Sequence, residues 1–210
     1  MKFHELPPKR QQQLVDERIR QGDCAPEYDW WDNSYDEFIS FCESLGLDIS
    51  YNIPEWKTHS GHRHTVKEYE LYFDLGRGRG VTFSATYRPV KTVLPEIYDD
   101  DVKKSMEALR VYELTRRMLK LETMYGRVKD NRVTADTSDD ETDLEAVEEF
   151  ENLLEELVDS LAYRLFKDLE AEHDYFFTEE YIREELELLG EDYEEDEEDE
   201  ETEDTISDLN

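Results

Sequence analysis

Apolar residues along this chain recur at two different periods, and the change of period divides it into elements. Between Pro7-Pro8 and Gly22, a thin stripe of Leu14, Val15 and Ile19 predicts a helix that starts on proline and stops at glycine. Tyr35, Phe38, Ile39, Cys42 and Leu45 recur at three- and four-residue steps, which predicts a second helix from about Asp32 to Leu45, closed by Gly46. The period then falls to two. Leu47, Ile49, Tyr51 and Ile53 predict a half-buried strand ended by Pro54, and residues 58–65 read as a polar loop. Val66–Leu75 and Val81–Tyr87 read as two further strands joined through Gly76–Gly80 as a hairpin, with Val81, Phe83, Ala85 and Tyr87 on one face.

Helical spacing returns at Val102, Met106, Leu109, Leu114 and Met118, predicting a helix from about Asp99 to Leu119. Two readings compete for the next stretch: a strand pair over 123–128 and 132–135 turning at Asp130-Asn131, or a continuation of the helix to Tyr125. From Asp143, Val147, Phe150, Leu154, Leu157, Leu161, Leu165 and Leu169 hold one apolar seam through a long helix. Thr178 is placed to cap a last helix ending at Leu189-Gly190, with Tyr181, Ile182, Leu186 and Leu189 facing inward. The expected fold class is therefore α+β: a small antiparallel sheet packed with helices, followed by a long acidic amphipathic helix and a disordered acidic tail. The organisation expected is an N-terminal helix or arm over 1–27, an α+β domain over 28–190 that contains the acidic helix at 143–175, and the tail at 191–210.

Charge changes this picture at one end only. Residues 1–135 hold 21 Lys and Arg against 23 Asp and Glu, whereas residues 136–210 hold 3 against 34. Such a field attracts cationic surfaces and repels nucleic acid and anionic membranes. It also far exceeds the net charge of about 2–8 that keeps a small domain soluble. No apolar run approaches the roughly 20 residues needed to span a bilayer, and no signal peptide is visible after Met1. Cys24 and Cys42 form no paired motif, so two reduced thiols in a cytoplasmic protein are expected.

Candidate chemistry is sparse. His59, His62 and His64 fall within six residues, but no further ligand stands at a defined spacing and Arg63 would repel a cation, so an exposed polar loop is the expected state. Gly76-Arg77-Gly78-Arg79-Gly80 lacks the Lys-Ser or Lys-Thr and the following helix of a phosphate-binding loop, and reads as a turn. No nucleophile elbow and no paired-cysteine metal motif is present. The expectation is no enzyme, no catalytic residue, no cofactor and no metal.

The long helix is different. Glu148, Glu151, Glu155, Glu156 and Asp159 lie outside its seam, and side chains four residues apart stand about 6 Å apart along the axis. That spacing is comparable to the through-space separation of successive phosphates of one DNA strand, which advance about 3.4 Å each along the duplex axis. With Glu191, Glu194, Glu195, Glu197 and Glu198 of the tail, these carboxylates are the candidate partner-binding residues, presenting a phosphate-like row to a basic, nucleic-acid-binding protein. Trp30, Trp31 and Trp56 are candidate aromatic contacts for a competing reading, in which the tail only solubilises and the aromatic body binds the partner.

Several segments resemble a family of small phage and plasmid proteins, many without assigned function and some carrying an antitoxin label. The likeness rests on Trp30-Trp31-Asp32-Asn33-Ser34-Tyr35-Asp36-Glu37-Phe38, on the run from Tyr72 to Phe83, and on Leu161-Ala162-Tyr163-Arg164-Leu165 with Glu170 to Tyr175 and Thr178-Glu179-Glu180. It spans about residues 28–189; the family's Ser-Gly-Phe-Trp-Ser-Gln-Gly-Asp run is missing. The resemblance implies a phage or mobile-element origin and an α+β fold, and carries over no catalytic residue. Together with the charge it yields the expected function: a phage-type anti-defence or host-takeover protein, a stoichiometric inhibitor that mimics DNA in the cationic site of a host restriction or CRISPR-type protein. The alternative is an antitoxin-like regulatory adaptor.

Overall fold

In the computed structural model the chain forms two compact units, residues 1–26 with 173–210 and residues 27–172. The structure describes residues 1–22, 24–26, 29–53, 56–57, 63–64, 67–76, 78–88, 106–121, 123–138, 144–190 and 193, with the backbone alone at 56–57, 63–64, 106–109 and 112. After a 3-10 turn at Phe3–Glu5 come α1 (Pro8–Gln21), α2 (Asp32–Ser44), β1 (Leu47–Ile49), β2 (Tyr51–Asn52), β3 (Trp56–Lys57), β4 (Arg63–His64), β5 (Glu68–Tyr69) and β6 (Leu71–Asp74). Then follow β7 (Gly80–Phe83), β8 (Ala85–Tyr87), α3 (Met106–Met118), β9 (Met124–Lys129), β10 (Arg132–Thr137), α4 (Leu144–Tyr175) and α5 (Glu179–Leu189). The fold is α+β.

Residues 27–172 are organised by a four-stranded antiparallel sheet in the order β1-β8-β9-β10, with β2–β5, β3–β4 and β6–β7 as two-stranded ribbons. Three strands change partner at one residue each, Ser50, Glu70 and Ser84. The backbone groups freed there close a ring: Ser50 N–H donates to Ser84 O (2.8 Å), Ser84 N–H to Glu70 O (3.0 Å) and Glu70 N–H to Ser50 O (2.8 Å). Every strand is thereby kept hydrogen-bonded while it leaves one neighbour for the next, as buried backbone groups require.

Val81, Phe83, Ala85 and Tyr87 are all buried, the face their alternation predicts. Asp130 and Asn131 take φ of 50° and 63°, the conformation of a two-residue turn between β9 and β10, so the strand-pair reading holds and the helix does not reach Tyr125. Asn131 does more than turn the chain. Its Oδ1 accepts from Phe83 N–H (2.9 Å), its Nδ2 donates to Val81 O (2.7 Å) and its own N–H donates to Phe83 O (3.1 Å), so one side chain takes the place of a strand beside β7. The sheet packs on α4, where Phe150, Leu154, Leu157, Leu161, Leu165 and Leu169 are buried as the seam predicts. At the tightest point Gly126 lets the helix approach: a Cβ there would lie 2.1 Å from Leu154 Cδ2.

In the other unit α1 and α5 pack together around Val15, Ile182 and Leu186, joined by Phe3, Leu6, Cys24 and Phe176. Arg18 Nη2 contacts Glu185 Oε1 at 3.0 Å, and Met1 and Tyr193 pair through two backbone bonds of 2.8 Å. α1 stops at Gly22 (φ +72°), as its sequence predicts, and Thr178 caps α5 by accepting from Tyr181 N–H.

Three expectations need correction. The strand expected over Leu47–Ile53 keeps its buried side only to Ile49; beyond the hand-over at Ser50, Tyr51 is 41% and Ile53 50% exposed. The polar loop over 58–65 gives way at Arg63–His64, which pair with Trp56–Lys57. Leu189 is exposed, because the last turn of α5 has run past Leu186 and the helices it packs on. The helix expected from Asp99 is described from Met106 only, since 99–105 lie outside the described residues, as do Thr142 and Asp143.

Two substitutions test this frame. Asn131→Gly keeps the turn's positive φ but strips Phe83 N–H and Val81 O of their partner, and should lower unfolding free energy by about 1–3 kcal/mol in urea titration. Gly126→Ala should cost about 1–3 kcal/mol through overpacking against Leu154; wild-type stability would show that the helix can back away freely.

Candidate functional site

The carboxylates of α4 separate into two classes. At 100° per residue, Glu148, Glu155 and Asp159 fall within about 40° of one another on the face opposite the buried seam, with Glu151 at its edge. Glu148, Glu155 and Asp159 are exposed and Glu151 is half-buried. None of these four has an ion pair or side-chain hydrogen bond among the described residues. They form a row about 16 Å long at 1.5 Å per residue.

Glu156, expected in the same row, is withdrawn from it. Arg110 reaches Glu156 Oε1 with Nη2 at 2.7 Å and Nε at 2.8 Å, and Arg117 Nη2 meets Glu149 Oε1 at 3.2 Å. Arg110 and Arg117 are seven residues apart on α3, and Glu149 and Glu156 seven apart on α4, paired in reverse order. Two helical turns on one antiparallel helix thus match two on the other. An open hollow of ≈ 390 Å³ lies beside these pairs, lined by Arg117, Glu145, Glu148, Glu149, Asn152, Leu153 and Glu156.

Further along α4 the protein partners its own acids, neutralising Asp168 and Glu170 and hydrogen-bonding Glu172. Asp168 meets Arg164 (3.8 Å), Glu170 meets Lys167 (2.5 Å) and Arg79 (3.7 Å), and Glu172 accepts from Ser34 Oγ (2.7 Å). The Lys167 hydrogen bond holds the Glu170 carboxyl below its ordinary range. Arg164 also stacks its guanidinium over Phe41, 4.6 Å from the ring centre. The unneutralised row therefore ends at Asp159.

Of the other candidate residues, Trp30 is spent in packing: it is 7% exposed and meets Trp31 and Phe73 edge-on at 5.5 and 5.8 Å. Trp31 is half-buried against Phe73 (5.4 Å), and Trp56 lies in β3, where the backbone alone is described. Glu191, Glu194, Glu195, Glu197 and Glu198 lie outside the described residues, as do His59 and His62. Gly76–Gly80 is the β6–β7 connection, tied by Asp74, whose carboxylate accepts from Gly76 N–H (2.7 Å) and Gly78 N–H (3.0 Å). Among the described residues no group of three or more His, Cys, Asp or Glu is placed to hold a metal ion, and no helix is long and apolar enough to cross a membrane.

Sequence reasoning found the row but missed the two arginines that shorten it; their common seven-residue spacing was the available signal. Residues 30–179 match the model of a family described as a domain of unknown function, DUF8835. No curated protein and no solved structure matches the chain.

Glu148–Glu151, Glu151–Glu155 and Glu155–Asp159 are like-charge neighbours, each costing the helix about 0.2–0.5 kcal/mol. Added salt should accordingly raise the melting temperature. Glu148→Gln/Glu155→Gln/Asp159→Asn should be more stable than wild type in low salt, and the gap should close in high salt.

Proposed function

The chain belongs to the DUF8835 family, described as a domain of unknown function, and from the charge geometry of α4 we propose that it acts by stoichiometric binding. It occupies the cationic cleft of a nucleic-acid-binding protein as a mimic of a polynucleotide strand. The observation that carries this reading is selective: the chain neutralises Glu149, Glu156, Asp168 and Glu170 with its own basic side chains, and leaves Glu148, Glu155 and Asp159, with Glu151 at their edge, unpaired among the described residues. A helix carrying charge for solubility alone gains nothing from a row of like charges that destabilises it. A rigid row, held by a buried seam, presents its carboxylates without the ordering cost that a flexible acidic segment incurs. The tail's many carboxylates would add long-range attraction, strongest at low salt. A phage-type anti-defence role, against a restriction or CRISPR-type protein in the host cytoplasm, is the setting that suits such a binder.

The adaptor reading has Trp31 and Phe73, half-buried at the surface, and the exposed Tyr72 in its favour.

The test uses the full chain as bait for host lysate, followed by displacement of the captured protein with duplex DNA. Glu148→Gln/Glu151→Gln/Glu155→Gln/Asp159→Asn should weaken capture about tenfold or more, about 1.4 kcal/mol, and flatten its salt dependence. Glu149→Gln/Glu156→Gln, which alters only exposed, paired carboxylates, should have a much smaller effect. Equal capture by the fourfold variant, or a captured protein that duplex DNA does not displace, would reject mimicry; loss through Trp31→Ala/Tyr72→Ala alone would favour the adaptor.

A further inference from the structure

β10 is an edge of the four-stranded sheet, and its outer side makes no backbone hydrogen bond to another strand among the described residues. An exposed edge of six residues is a template for another strand, and proteins usually blunt it with proline, a bulge, a cover or charged side chains, of which β10 has only Arg132 and Asp136, one of each sign. β10 is regular, with alternate residues Arg132, Thr134 and Asp136 exposed and Val133, Ala135 and Thr137 half-buried.

The polarity of the edge follows from the hairpin. Ser138 N–H donates to Thr123 O at 2.9 Å, in the register that also sets Arg132 opposite Lys129. Even-numbered residues therefore turn their backbone groups toward β9, and Val133, Ala135 and Thr137 turn theirs outward. Thr137 N–H is taken by the Asp136 side chain (2.8 Å), and among the described residues the outward groups of Val133 and Ala135 meet no partner.

The side chains on this edge are half of a pattern. Arg132 stands directly across from Lys129, a like-charge pair that costs stability, and has no carboxylate partner among the described residues. Asp136 accepts from Tyr125 Oη (3.0 Å) and from Thr137 N–H, which still leaves lone pairs on its carboxylate. In a two-fold antiparallel pairing centred on Thr134, Arg132 of each copy meets Asp136 of the other, twice. Val133 then lies opposite Ala135, where the outward backbone groups match, and Thr134 faces its own equivalent. Centring on Arg132 or on Asp136 would oppose like charges, and centring on Val133 or Ala135 would leave both charges without an opposite.

We propose that β10 is a self-pairing edge: two copies of this chain join antiparallel through it, with the two-fold axis at Thr134, making one eight-stranded sheet. The interface is isologous, as a closed dimer requires. The large like charge of the two copies opposes it at low salt, so association tightens as salt rises toward physiological strength, where that repulsion is screened beyond about 8 Å. This inference uses no residue of the acidic row and stands or falls apart from the mimicry.

Cross-linking tests the register directly. A non-hydrogen-bonded pair at the axis brings its two Cα atoms to about 4.5 Å, within disulfide range. Thr134→Cys in the full chain should form a covalent dimer under mild oxidation, at least tenfold faster than Thr86→Cys on the same solvent face of an inner strand; the native Cys24 and Cys42 are buried. In sedimentation at physiological salt, Val133→Pro, which removes an outward N–H and no bond to β9, should abolish association. Arg132→Asp should weaken it, and Arg132→Asp/Asp136→Arg should restore it. Circular dichroism and melting checks confirm that each variant is folded, and the exposed Arg132 pair serves if the proline variant is not. A monomer at every accessible concentration with Thr134→Cys no faster than Thr86→Cys overturns the proposal. So does a dimer that Val133→Pro and Arg132→Asp leave intact, since it would use another face.

Discussion

Three backbone hydrogen bonds, passed in a ring from Ser50 to Ser84 to Glu70 and back, are the constraint around which residues 27–172 are arranged. Each of the three strands must leave one neighbour and join another, and a strand that changes partner inside a protein strands an N–H and a C=O at the crossing. Leaving them bare would cost on the order of 1–3 kcal/mol each. The ring satisfies one donor and one acceptor from each strand, so three ribbons splay apart without an unsatisfied backbone group at the point of parting. Asn131 repeats the solution at the residues just before Ser84, lending a side chain to β7 where no further strand lies among the described residues.

This junction matters for the candidate site because it fixes the sheet on which α4 lies. The seam of α4 is buried against β8 and β9, with Gly126 admitting Leu154 at the closest approach and Tyr87 meeting Phe150. A helix so clamped cannot relieve the repulsion on its outer face by unwinding or rotating. The α3 arginines then decide which carboxylates stay bare, and their choice is stereochemical: two residues seven apart reach two residues seven apart.

Much of the frame was legible in the sequence because its signals are local. Proline before α1, glycine after it, threonine before α5 and Asp130-Asn131 at the hairpin each act on the few residues around them. The period of α4 also survived intact, since a buried seam over that length leaves little freedom. What the sequence hid was tertiary. A hand-over at Ser84 does not disturb the alternation of Val81, Phe83, Ala85 and Tyr87, so a strand that changes partner reads as one strand. Tyr51 and Ile53 continue an alternation whose buried side has ended, because the neighbour that covered it has gone. Of the site, the carboxylate row was readable from spacing, whereas its true extent depended on arginines some forty residues upstream in the chain.

The unit that joins residues 1–26 to residues 173–210 has its own consequence, which concerns time. Val15 and Ile182 share one apolar centre, yet the ribosome makes them far apart. At about 5–20 residues per second, the first helix waits on the order of ten seconds or more for its partner to appear. During that interval residues 27–172 have emerged in full and can close around their own sheet, while the N-terminal segment stays in search of a surface not yet synthesised. A helix made late thus completes the unit that a helix made early begins.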